Sequence, residues 1–202
     1  MNIISGVFHP LLMTSYMSAL LAVFMPEAYM PYPESAVWQL VTAFVLLTAV
    51  MPALFVFGLY MFTPVVTDLE LTNRKERLVP FIVLIIFYSA AAYFLVIELG
   101  LGPIVRVLLF SAIVMIALMV IINTRFKISI HCSAAWALAG YTLALSVNYS
   151  FPHMLPMVYG TVIFGGLIGT SRLYLGCHKP TEVWFGTLFG FIYSFLAVII
   201  LL

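Results

Sequence analysis

Seven apolar runs, at about residues 8–25, 36–62, 78–97, 103–122, 131–149, 152–170 and 183–202, alternate with short polar breaks. A helix crosses the hydrocarbon core with about 20 apolar residues, and every run but the first meets that length. Backbone amides in lipid must be satisfied inside the segment, which selects helices. The period-2 alternation of a barrel strand is absent. The first run is the weakest, because Pro10 and Pro26 leave 15 residues between them, about 22 Å of helix. It either spans with help from residues 3–9 or lies at the interface. Pro52, inside the second run, predicts a kink that a membrane helix tolerates. The pattern predicts an all-α, polytopic transmembrane helical bundle of six to seven spans, forming one domain over residues 1–202.

Composition agrees. The chain is 65% hydrophobic and 7% charged, against roughly 25% charged in an ordinary soluble domain. A net charge of +1 gives no reason to expect nucleic acid. Met1–Gly6 contains no Lys or Arg, so a cleaved signal peptide is not expected. Cys132 and Cys177 supply no disulfide framework. Gly165–Gly169 and Gly186–Gly190 are both G-x-x-x-G, and Ser89–Ala92 is a further small-residue surface. In lipid such residues let helices approach closely.

The breaks at 63–77, 123–130 and 171–181 are separated by pairs of spans, so they share one membrane face. That face holds seven of the eight basic residues: Arg74, Lys75, Arg77, Arg125, Lys127, Arg172 and Lys179. His131 and His178 join them. The opposite face has Glu27, Glu34, Glu98, His153 and Arg106. Charges retained in so apolar a background mark function.

Three segments therefore converge: Thr72–Pro80, Lys127–His131 and Ser171–Glu182. They offer cations, hydroxyls, two imidazoles and a carboxylate. Cations and hydroxyls bind phosphate oxygens through charge-assisted hydrogen bonds. One histidine can attack phosphorus while the other protonates the leaving oxygen. His178 and Glu182 are four apart, which puts them on one side of a helical start, where the carboxylate can fix the imidazole tautomer.

Those residues resemble the type 2 phosphatidic acid phosphatase (PAP2) superfamily of membrane lipid phosphatases, whose motifs are K-x6-R-P, P-S-G-H and S-R-x5-H-x3-D. The third is met with its full spacing by Ser171, Arg172, His178 and Glu182, with glutamate where the family has aspartate. The second is met in part by Ser129-Ile130-His131, where Ile128 replaces the proline and Ile130 the glycine. The first is a loose match: two residues separate Arg77 from Pro80, and the lysine role falls to Arg74 or Lys75. The resemblance covers about residues 72–190. It implies His178 as nucleophile, His131 as general acid-base and Glu182 as the group orienting His178. It also implies phosphate binding by Arg172, Arg77, Arg74 or Lys75, Ser129 and, conditionally, Ser171. No cofactor or metal is implied. The expected partner is a lipid phosphate in the bilayer, a monoester or diphosphate: phosphatidate, phosphatidylglycerophosphate, polyprenyl diphosphate or lipid A phosphates. The expected location is a bacterial cytoplasmic (inner) membrane with the motif face extracytoplasmic.

Each element alone has a plainer reading. Arg74–Arg77 fits a positive-inside loop, and a histidine at a helix start fits an interface anchor. His9 reads as such an anchor, or as a border of the site if the first run spans. Tyr174, Trp184 and Tyr193 fit interface belts or substrate-tail contacts. The joint occurrence on one face separates the readings. Two rivals remain. A metal or haem protein would use His131-Cys132 and Cys177-His178, but neighbours on a helix diverge by about 100° and the basic company repels a cation. A transporter or scaffold would place polar charge at mid-membrane, and the spans carry none there.

Overall fold

The structure is a computed structural model that describes residues 9–67, 74–149 and 154–202. The expectations placed on residues 3–8, on Thr72 and Asn73, and on His153 fall outside the described residues. Among the described residues seven principal helices follow one another: α1 (Pro10–Phe24), α2 (Glu34–Phe62), α3 (Leu78–Glu98), α4 (Pro103–Arg125), α5 (Ile130–Tyr149), α6 (Leu155–Tyr174) and α7 (Pro180–Leu201). No strand occurs among the described residues. Five of the seven, α2, α3, α4, α5 and α7, are long and apolar enough to cross a membrane. α6 has the length, at 20 residues, but dilutes its apolar character with Gly160, Gly165, Gly166, Gly169, Thr161, Thr170 and Arg172. α1 is apolar but short, as Pro10 and Pro26 dictate. Large apolar side chains such as Ile86, Ile163 and Ile200 are exposed, the arrangement expected when the surrounding solvent is lipid. The chain is an integral membrane protein built as an all-α polytopic bundle.

Its contacts group into two compact units. One comprises Met1–Met25 with Ile128–Leu202, and the other Pro26–Lys127. In the second unit α3 packs on α4. Pro52 lacks an amide hydrogen and crowds the carbonyl four residues back. α2 absorbs this in a wide π turn at Leu46–Val50, where the Thr48 hydroxyl donates to the Phe44 carbonyl at 2.8 Å. The short turn Arg74–Arg77 leads into α3. It is anchored by Glu76, whose carboxylate accepts the Thr67 N–H at 2.9 Å.

In the first unit α5 is the central helix, touching α1, α6 and α7. Its long seam with α7 exists because glycines remove the side chains between the backbones. A Cβ on Gly186 would lie 2.7 Å from the Ser129 carbonyl oxygen, and one on Gly190 would collide with the Ser133 carbonyl. Gly140 answers from α5, where a Cβ would strike the Phe191 carbonyl and the Ser194 hydroxyl. Gly165 of α6 lets the Trp136 ring approach to within 3.0 Å of where its Cβ would stand. Inside this unit, polar adhesion between spans comes from neutral groups. The Thr142 and Thr161 hydroxyls meet at 3.0 Å, joining α5 to α6.

Candidate functional site

The first unit draws together, at one end of α5 and α7, the residues that the two better-matched motifs single out. Ser129 precedes α5 and caps it. Its hydroxyl accepts the Cys132 N–H at 3.5 Å, a Ser N-cap contact at the long end of its range. Its carbonyl receives the N–H and the hydroxyl of Ser133 at 3.0 and 3.1 Å. Ser129 is fully buried. His131 is then held in the first turn of α5.

The turn between α6 and α7 brings in the remaining residues. α6 closes with the Leu175 N–H donating to the Ser171 carbonyl at 3.0 Å and the Gly176 N–H to that of Leu173, also at 3.0 Å. Gly176 has φ +64°, the left-handed conformation that glycine adopts at little cost just beyond a helix end. That reversal sends Cys177 and His178 back along the unit. Pro180 then starts α7 with Glu182 in its first turn.

Glu182 ties both histidine-bearing segments together. Its Oε2 lies 2.8 Å from His178 Nδ1 and accepts the Lys179 N–H at 3.3 Å. Its backbone carbonyl accepts the Ser129 N–H at 3.2 Å, so the segment bearing His131 and the segment bearing His178 are joined by a main-chain bond. A carboxylate at Nδ1 makes that nitrogen the proton carrier and leaves Nε2 with its lone pair. The pair is mostly enclosed, with side-chain exposures of 7% for His178 and 15% for Glu182.

Arg172 sits in the last turn of α6, where a cation complements the helix dipole. It is 9% exposed. No carboxylate pairs with it among the described residues, and a buried cation without an anion is costly. The neighbouring Ser171 hydroxyl is also buried, with no hydrogen-bond partner among the described residues. Ser129, His131, Arg172, Ser171, His178 and Glu182 thus all belong to one unit. Arg74, Lys75 and Arg77 belong to the other, on the turn leading into α3; Arg77 is 5% exposed.

His9 reads from the sequence as an interface anchor or a border of the site. Its ring meets the His131 ring edge to face, with centroids 5.6 Å apart. Burial, and after it the positive charge of Arg172, hold its pKa below the ordinary histidine value. The sequence signals it only by its place on the motif face if the first run spans, since the 121 residues between His9 and His131 hide their neighbourhood. As for metal chemistry, Cys132 is buried while Cys177 is exposed, and neither forms a disulfide among the described residues. No group of three or more His, Cys, Asp or Glu suited to an ion occurs among the described residues.

Comparison with known proteins gives one family: the model described as the PAP2 superfamily matches residues 122–202. The matched region takes in Ser129, His131 and the whole of Ser171–Glu182. It starts beyond Arg74–Arg77, so it is shorter at its N-terminal side than the resemblance traced above. No curated protein and no solved structure matches the chain.

Proposed function

We propose that this protein, whose residues 122–202 match the model of the PAP2 superfamily, is a lipid phosphatase working through a phosphohistidine. The observation that carries the proposal is Glu182. One residue holds His178 Nδ1 and, through its carbonyl, the segment that presents His131.

The chemistry follows in two steps. Nε2 of His178 attacks phosphorus and the bond from phosphorus to the leaving oxygen breaks, while His131 gives that oxygen a proton. Glu182 stabilises the positive charge that grows on the His178 ring. In the second step His131 takes a proton from water, the hydroxide attacks the phosphohistidine, the N–P bond breaks and inorganic phosphate leaves. Arg172 supplies a fork of donors for the equatorial oxygens, and its lack of a carboxylate partner among the described residues suits an incoming anion. Ser129 shapes the start of α5 and retains a hydroxyl hydrogen for donation. Ser171 brings a second hydroxyl. For Arg77 and for Arg74 or Lys75, phosphate binding rests on the resemblance of the first motif alone.

The substrate is a lipid phosphate monoester or diphosphate, its phosphate in the headgroup layer and its tail in lipid. Basic side chains provide the positive charge, so no divalent metal is required. The motif face is taken to be extracytoplasmic, on a bacterial cytoplasmic membrane.

The test is phosphate release by detergent-purified protein from phosphatidate, phosphatidylglycerophosphate, polyprenyl diphosphate and lipid A phosphates. Release from at least one, undiminished by EDTA and lost in Arg172→Ala, is expected. Release that EDTA abolishes and magnesium restores would overturn the metal-free mechanism, and no release from any member of the panel would overturn the activity.

A further inference from the structure

The contact between His9 and His131 is the strongest feature that the three motifs leave unexplained. His9 lies just before α1, far from the motifs in sequence, yet its ring stands edge to face on that of His131. Its position is built rather than incidental. Nδ1 of His9 accepts the Leu11 N–H at 3.3 Å, so His9 caps the first turn of α1 and Pro10 follows at the first helical position, where a missing amide hydrogen costs nothing. This cap has a chemical consequence. A ring nitrogen that accepts from a backbone amide carries no proton of its own, so the neutral ring must bear its hydrogen on Nε2. Among the described residues, no hydrogen-bond partner meets that Nε2–H. Burial and the Arg172 charge both favour the neutral ring. A neutral donor with a fixed tautomer, beside the proposed proton donor and near a buried arginine, is suited to an oxygen of an anionic substrate.

We propose that His9 is a third substrate-contacting histidine of the site, donating Nε2–H to an oxygen on the leaving-group side of the lipid phosphate, next to His131. The inference rests on the phosphatase reading. It adds α1 to the functional part of the chain, and it gives that short apolar segment a task beyond anchoring.

Two substitutions separate this role from helix capping. In His9→Asn the side-chain oxygen stands near the position of Nδ1 and preserves the cap, while the Nε2 donor is lost. In His9→Gln the amide nitrogen approximates Nε2 and preserves the donor, while the cap is lost. kcat/KM on the lipid phosphate is expected to fall about tenfold or more in His9→Asn, the worth of a hydrogen bond to a charged group. It should stay within about threefold of wild type in His9→Gln. The reverse order, with His9→Asn active and His9→Gln impaired, would show capping alone and overturn the inference.

An activity-independent readout uses protein labelled with ¹⁵N-histidine in detergent, the His9 signals being identified by their loss in His9→Asn. Near neutral pH His9 should show the Nε2–H tautomer, and orthovanadate should move its signals together with those of His178. If vanadate moves His178 and leaves His9 unchanged, the inference on His9 falls and the phosphatase reading stands. If it moves neither, both fall.

Discussion

Glu182 Oε2 lies 2.8 Å from His178 Nδ1, and the same oxygen accepts the Lys179 amide hydrogen at the start of α7. The carboxylate that orients the imidazole is therefore also a helix cap. Glu182→Gln separates the two functions. Glutamine at this position still caps a helix start, but it cannot stabilise a developing imidazolium. kcat on the lipid substrate is expected to fall about 100-fold or more with the melting temperature nearly unchanged. A fall in melting temperature matching the loss of activity would show that capping is the whole role.

The two motif histidines should respond differently to the leaving group. His178→Ala removes the nucleophile and should abolish turnover on lipid phosphate and on para-nitrophenyl phosphate alike. His131→Ala removes a proton transfer worth about 10²–10⁴-fold, which a good leaving group scarcely needs. Provided the small ester is accepted, His131→Ala should keep far more of its activity on para-nitrophenyl phosphate than on lipid. Equal losses on both substrates would refute the assignment. A labelled, acid-labile phosphoenzyme should be trapped by rapid quench in wild type and absent in His178→Ala.

The glycine seam makes a prediction about stability. Gly190→Ala would press a methyl group into the Ser133 carbonyl, an overpacking that costs about 1–3 kcal/mol. It would also push α7 away from α5, so phosphate release should fall with the melting temperature. Gly166→Ala, on α6, adds its methyl where nothing lies within 4 Å and should leave both measurements close to wild type. Equal behaviour of the two variants in detergent would contradict the seam.

Orientation is testable through the thiols already present. Cys177 is exposed beside His178, and Cys132 is buried. A membrane-impermeant maleimide applied to intact cells is expected to label the wild type and not Cys177→Ser. Labelling that appears only after permeabilisation would put the motif face on the cytoplasmic side.

Much of this architecture is visible in the chain because lipid simplifies the rules. Runs such as 78–97 and 103–122 have one stable backbone solution in hydrocarbon, and their ends are fixed by residues as explicit as Pro103 and Arg125. Pro52 announces a distortion, though the compensation several residues earlier, at Leu46–Val50, depends on which carbonyl the ring crowds. The contact of His178 with Glu182 is local, set by four residues of a helix start. The neighbourhood of His9 is another matter. Only the packing of α1 on α5 brings it to His131, and no spacing rule spans that length of chain. The division into two units is equally hidden, since α1 groups with α5, α6 and α7 across the intervening chain. Gly186 and Gly190 declared close packing, but not their partner. Any of several helices could have filled that groove, and the geometry selects the first turn of α5.

The bond from the Ser129 amide to the Glu182 carbonyl has a consequence for how this sequence can change over time. Both atoms are main chain, so their link survives any exchange of side chains that leaves the groove at Gly186 open. What the junction demands is vacant space rather than particular chemistry. Ile128 and Ile130 stand where the motif of the resembling family has proline and glycine, and the atoms nearest a Cβ on Gly186 belong to Ser129, Cys132 and Ser133 instead. Alignment of the two histidine-bearing segments is thus insulated from drift in the short sequence signature that would advertise it. Chains with still more eroded signatures could preserve the same arrangement, recognisable by a glycine pair four and eight residues beyond an acidic helix start rather than by the serine-histidine segment itself.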